Sequence, residues 1–197
     1  MSHNVGKLQQ DVTILAAMAA EMGVYLDSDV LFWPMAALSS PRLTLGGYLM
    51  RQHRLLALKG LLSAEEQMQV AEAVTVFNMA VSERVVRLEK RAHQEIDARL
   101  RQWRAYLDDL QKDYHLNVSS YATAVEARVM LAALTDYLQQ PPYQLDTAVL
   151  PRIDQIDAYL RVRWEPGVFV WDEQWQPAYP AEAYWWLYGR PKGAAVS

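Results

Sequence analysis

Apolar residues recur at helical spacing along most of the chain. The longest run lies in the middle: Phe77, Val81, Val85, Leu88, Ala92, Ile96, Leu100, Trp103, Leu107, Leu110 and Tyr114 follow one another at steps of three or four. Such steps keep successive residues on one side of an α-helix. The mean step is about 3.7 residues, whereas a strict heptad seam gives about 3.5 and a left-handed supercoil. The pattern therefore predicts a helix packed in a bundle, not a long two-stranded coiled coil. Leu61 through Gln140 contains no glycine and no proline; in a helix interior these cost about 1 and about 3 kcal/mol per residue. Ser63-Ala-Glu-Glu66 has the form of a capping box, in which the Ser63 hydroxyl and the Glu66 carboxylate satisfy each other's backbone amides.

The prediction is one long, bent or straight helix over Ser63–His115. At about 1.5 Å per residue it would span roughly 80 Å, more than a compact chain of this size needs. It therefore either breaks, around Ser82–Arg84, or projects at its far end. Its halves differ. Ala64–Ser82 carries only Glu65, Glu66 and Glu72 as charges and has apolar residues on most faces, which predicts burial nearly all round. Glu83–Asp113 carries eight basic and seven acidic residues. Glu83/Arg87, Glu95/Arg99 and Asp97/Arg101 stand four apart with the acid first, the favourable order on a helix surface.

Shorter patterns flank this element. Leu8, Val12, Leu15, Ala19, Met22 and Leu26 define a first helix over Lys7–Leu26, followed by a loop over Asp27–Ser40 whose Leu31-Phe32-Trp33-Pro34 is apolar enough to tuck into the core. A second helix is read over Thr44–Lys59, with Gly60 suited to its C-terminal cap. After a turn at Leu116–Ser119, a further helix runs from Ser119 or Ser120 to about Gln140, where Pro141-Pro142 ends it. A fifth begins at Pro151, a residue favoured at the first helical position, and places Ile153, Ile156, Leu160 and Trp164 on one face. Val168–Trp171 reads as a single extended segment, Ala181–Tyr188 as one or two helical turns, and Lys192–Ser197 as a loose end. The fold predicted is all-α: a bundle of about five helices over residues 1–164, with an irregular aromatic tail over 165–197 packing on it as part of the same domain.

Composition narrows the function. The chain has 197 residues, a formal net charge of −4 and no cysteine. The charge argues against a dedicated nucleic-acid binder, which carries a basic excess. Absent cysteines exclude disulfides and thiolate metal sites and fit a cytoplasmic protein. The start of the chain lacks the basic and apolar regions of a signal peptide. Val12–Leu26 is too short to span a bilayer and contains Glu21.

Three constellations could carry chemistry. Between Trp164 and Pro191 nine residues are aromatic, interspersed with Glu165, Asp172, Glu173 and Glu182. Such a tail either wraps back to cover the bundle, or presents Trp171, Trp175, Trp185 and Trp186 to a protein partner, or builds a cage for a cation. Gly46-Gly47 opens a helix near Arg51, His53 and Arg54. Free amides at a helix start attract anions, so Gly47, Arg51 and Arg54 are candidates for an anion such as phosphate. The spacing is not that of a P-loop, and a solvated or acid-paired basic face explains it equally. Glu89, His93 and Asp97 share one helical face, but no second histidine segment completes a zinc set, and a salt-linked face is the reading adopted. No nucleophile motif is present, and no cofactor, metal or catalytic residue is expected. The reading is a non-enzymatic helical protein that binds another protein or itself, with the charged half of the long helix and the tail as its surfaces. The alternative is a small-molecule or anion-binding protein or enzyme that uses the Gly46-Gly47 helix start or the tail tryptophans.

Overall fold

A computed structural model describes residues 5–36 and 41–192. The end of the loop predicted over Asp27–Ser40 and most of the loose end predicted over Lys192–Ser197 lie outside the described residues. The described residues are mostly helical, with one small two-stranded sheet among them.

Helix α1 spans Val5–Asp27, and all six residues of its predicted stripe are buried. Helix α2 spans Leu45–Ala57. Thr44 is its N-cap, its side chain accepting from the Gly47 amide. Gly60 falls in a 3₁₀ turn over Lys59–Leu61, and Leu58 is the C-cap.

The long helix is two helices: α3 over Ala64–Ser82 and α4 over Val85–Lys112. The capping box at Ser63 and Glu66 is formed in both directions, at 3.2 and 2.7 Å. The break falls at Ser82–Arg84 although neither glycine nor proline is there. Arg84 ends α3 through its side chain: the guanidinium donates to the Ala80 carbonyl near the end of α3 and to both oxygens of Asp27 at the end of α1. A helix end needs partners for its last carbonyls, and Arg84 supplies one while tying two helix ends together.

The stripe along α4 is buried as predicted from Leu88 to Leu110. The expectation that α3 is apolar on nearly all faces because it is buried is corrected. Val70, Ala73, Phe77 and Val81 are buried, but Met68 and Met79 are 70% and 65% exposed. Two of the predicted surface pairs are also replaced. Arg87 pairs with Asp27 and Asp97 with Arg152, each with a residue of another element.

Where one helix was predicted from Ser119 or Ser120 to Gln140, there are short turns and then a helix. Helix α5 is Tyr114–Asn117, a 3₁₀ turn covers Val118–Ser120, α6 is Tyr121–Ala124 and α7 is Glu126–Leu138. Helix α8, Val149–Arg161, starts two residues before Pro151, which still lies in the first turn, where no backbone donor is required.

The tail folds into a hairpin rather than a lone extended segment. Strand β1, Trp164–Phe169, pairs antiparallel with β2, Tyr188–Pro191, and the register shifts between Pro166 and Phe169. Gly189 has φ +145, and a Cβ there would sit 2.2 Å from the Glu165 carbonyl oxygen, so no other residue fits that register. Two 3₁₀ turns, Glu173–Ala178 and Trp185–Leu187, fill the connection.

The core is contiguous from α1 to the tail, and it includes Tyr179, Trp186 and Leu187. Helix α1 packs most extensively on α3. The two run parallel: Gln9 reaches Glu66 at their starts and Asp27 receives Arg84 at their ends.

Candidate functional site

The helix start at Gly46-Gly47 is occupied by an anion from the chain itself. The Gly46 amide donates to Glu95 Oε2 at 3.0 Å, and Arg99 Nε donates to Glu95 Oε1 at 3.1 Å. Glu95 is fully buried. The Thr44 hydroxyl accepts from the Gly47 amide and from Arg99. A carboxylate at a helix N-terminus is favoured by the macrodipole and the free amides. The anion arrives from α4, 49 residues away. Gly46 permits the approach, since a Cβ would lie 2.8 Å from Glu95 Oε1 and 3.0 Å from Met130 Cβ.

Arg51 and Arg54 face a second internal acid, Asp11. Arg54 Nη1 donates to Asp11 Oδ2 at 2.6 Å, and Arg51 Nε stands 3.3 Å from Asp11 Oδ1. Arg51 also donates to the Gly47 carbonyl. Arg54 is buried and stacks on Trp175, 3.6 Å from the ring centroid, with Trp171 at 5.4 Å and Tyr179 at 5.8 Å. Its Nε donates to the Tyr179 hydroxyl. Two constellations that the sequence places 120 residues apart therefore form one cluster, and the cation inside the aromatic cage is Arg54. Glu126 lies near the same arginines. Burial pushes its carboxyl above the usual range, and the charges of Arg51 and Arg54 oppose that rise.

The other two tail tryptophans lie apart from this cluster. Trp186 is buried under Arg128, whose guanidinium is 3.7 Å from its ring and forks onto Asp157 at 2.9 and 2.8 Å. Trp185 is half-buried, edge-on to Trp164, with Arg161 over its face at 4.0 Å. Further bonds tie the tail to the helices. The Trp171 indole donates to the Ala122 carbonyl, the Tyr121 hydroxyl to the Trp186 carbonyl and the Tyr114 hydroxyl to the Pro191 carbonyl.

Asp11 and Glu95 had no part in the sequence-based sites. The signal was present: Asp11 stands three residues after Leu8 and four before Leu15, and Glu95 three after Ala92 and seven after Leu88, so each acid shares a face with stripe residues. A buried acid requires a partner, but the sequence alone does not say which.

Glu89 and His93 clamp the connector before α8, and Asp97 holds the first turn of α8 itself. Glu89 accepts from the Gln144 amide, His93 Nε2 from the Asp146 amide and Asp97 from Arg152. Because His93 Nε2 accepts, its Nδ1 carries the proton and donates to the Glu89 carbonyl at 2.9 Å. Among the described residues no group of three or more His, Cys, Asp or Glu side chains is placed to hold a metal ion, and no helix is long and apolar enough to cross a membrane.

The larger surface depressions are open. One of about 540 Å³ lies between Val118–Ala122 and the β1–β2 hairpin. Another, about 490 Å³, lies between the end of α1 and α4 and is lined by Asp27, Asp29, Arg87, Lys90, Arg91 and Gln94. There the Arg91 Nη1 is buried with no hydrogen-bond partner among the described residues, while its Nη2 donates to the Ser28 carbonyl. The outer face of the α1–α3 pair has a different character. On α1, Thr13, Ala16, Ala20 and Val24 are exposed; on α3, Met68, Ala71, Thr75, Val76 and Met79 are exposed. Glu72 is the charge among these α3 positions. Compared with known proteins, the chain matches no family model, no curated protein and no solved structure.

Proposed function

We propose that the protein acts in the cytoplasm as a non-enzymatic binding protein, and that it engages another protein or a second copy of itself through the outer face of the α1–α3 pair. The exposure of Met68 and Met79, 70% and 65%, carries this reading. Methionine is flexible and polarizable and recurs at adaptable binding surfaces. The apolar part of this face gains from being covered, at about 25 cal/mol per Å² of apolar surface, and Glu72 is the charge within it. The titratable groups drawn together elsewhere, at Asp11, Arg54, Glu95 and Arg99, are paired with one another and packed, so they form no open reaction centre. The tail rings stack on arginines and on each other, and this shifts the proposed surface from the tail to α1 and α3.

A photo-crosslinking residue at position 68 or 79, compared with one at exposed Arg101, tests the reading in cells. Protein adducts at 68 and 79 are expected, with few at 101. Adducts at neither position would overturn it.

A second reading, an anion-binding protein, rests on the depression beside Arg91, where Lys90 and a buried, unpaired guanidinium nitrogen meet. Asp27 and Asp29 line the same space and weaken the attraction. Titration with inorganic phosphate, followed by thermal unfolding, tests it: a saturable rise in Tm that Lys90→Ala reduces is expected, and no rise rules it out.

A further inference from the structure

We infer that the depression between the end of α1 and α4 binds an acidic α-amino acid, a small ligand with two carboxylates and one ammonium. This rests on the second reading above, that an anionic group binds there, and names the class of ligand. Two stretches of chain meet at the site. Arg87, Lys90, Arg91 and Gln94 follow one another at steps of three, one and three, so they share one face of α4. Asp27 ends α1, and Ser28 and Asp29 follow it. The end of a helix carries the negative pole of its dipole, which favours a cation.

Part of this charge cancels within the chain. Asp27 holds Arg84 at 3.0 Å and Arg87 at 2.8 Å. Three groups are left over. Lys90 and Asp29 are exposed and join no ion pair among the described residues. Arg91 is only 5% exposed; its Nη2 donates to the Ser28 carbonyl, and its Nη1 has no partner among the described residues. A buried charged donor without an acceptor is costly, and a carboxylate is the acceptor that answers a guanidinium most strongly. Arg91 lines the depression with Nη1 covered, and a turn of its guanidinium uncovers that nitrogen to a ligand.

Two cations and one acid call for the opposite pattern in the ligand. One carboxylate meets Arg91, the second meets Lys90 and the ammonium meets Asp29. Inorganic phosphate would use the two cations but set its own charge against Asp29. An ammonium turns that repulsion into a contact. The depression, about 490 Å³, falls within the size of small-molecule sites.

Thermal unfolding of the full chain with added L-glutamate tests this, with glutarate, glycine and inorganic phosphate as comparators. Ionic strength is held constant, because exposed charges are screened by salt. L-glutamate is expected to give a saturable rise in Tm at roughly tenfold lower concentration than glutarate, which lacks the ammonium, or glycine, which lacks the second carboxylate. Lys90→Ala and Asp29→Asn change exposed residues and are expected to stay folded by circular dichroism. Each should weaken glutamate roughly 10-fold or more, the effect of losing one hydrogen bond to a charged group. Asp29→Asn should also erase the preference over glutarate, and Arg101→Ala, outside the depression, should change neither. Glutarate as effective as glutamate overturns the inference. A saturable rise with phosphate and none with glutamate overturns it too, and leaves the anion reading standing; no rise with any of the four overturns both. Glutamate binding untouched by Lys90→Ala and by Asp29→Asn overturns the site.

Discussion

The Arg54 guanidinium sits over the Trp175 ring, its carbon 3.6 Å from the indole centroid, and the same guanidinium bonds Asp11 at 2.6 Å. One side chain thereby joins α1, α2 and the tail. Breaking one partner out of a buried ion pair costs about 3–5 kcal/mol. Arg54→Met should destabilise by that order, read as a shift in the urea unfolding midpoint. Asp11→Asn combined with Arg54→Met should cost clearly less than the sum of the single changes, because the stranded charge is then gone. Arg54→Lys keeps the charge but loses the flat stack and the Nε bond to Tyr179, and should fall between wild type and Arg54→Met.

Gly46 makes the approach of Glu95 possible. Gly46→Ala drives a methyl to 2.8 Å from Glu95 Oε1 and 3.0 Å from Met130 Cβ, and should cost about 1–3 kcal/mol by overpacking. Gly60→Ala meets nothing within 4 Å and should be neutral or slightly stabilising. Equal effects from the two in chemical unfolding would contradict this account of the helix start.

Glu126 should impose a pH dependence of definite sign. Burial raises its folded pKa above the ordinary 4.5. The folded state therefore holds the proton to higher pH than the unfolded chain does. Its contribution is fully favourable below pH 4.5 and is lost as pH rises through the raised folded value. The stability difference between Glu126→Gln and wild type should accordingly grow in favour of glutamine as pH rises from 4.5. Unfolding midpoints across mildly acid to neutral pH check this, and a difference that stays flat would exclude it.

Asp27 should act in the opposite sense. The hydrogen bonds from Arg84 hold its carboxyl below the ordinary 3.8. Stability from this group is present above 3.8 and is lost as pH falls through the lowered folded value. Asp27→Asn should flatten the acid side of the stability profile, and it should also loosen the α3–α4 junction that Arg84 closes, seen as faster amide exchange at residues 82–85.

The tail is expected to be essential to the folded state. Trp186→Ala removes a ring that is 4% exposed and should cost about 3–5 kcal/mol. Val168→Ala, at a residue 84% exposed, should change stability by under about 0.5 kcal/mol. A chain ending after Trp164 loses Tyr179, Trp186 and Leu187 from the core and should no longer unfold cooperatively in a calorimeter. A sharp transition in that truncated chain would show that the helices stand without the tail.

The stripes of α1 and α4, the capping box at Ser63 and the overall helical class were legible in the sequence because their causes are local. A helix closes its hydrogen bonds four residues apart, so its apolar period and its caps are written in adjacent residues. Tertiary structure alone decided where the charges went. Asp11 meets Arg54 across 43 residues, Glu95 meets the Gly46 amide across 49, and Arg54 meets the Tyr179 hydroxyl across 125. The sequence offered a break around Ser82–Arg84 as one of two outcomes, and the link that Arg84 makes to Asp27 at the end of another helix belongs to the tertiary structure. So does the exposed face of α3, which looked buried from composition but is left open because the core takes only the side bearing Val70, Ala73, Phe77 and Val81. Periodicity states which residues share a face. Which faces are covered, and which acid answers which base, depends on the desolvation of groups far apart in the chain, and only the packed fold brings those groups together.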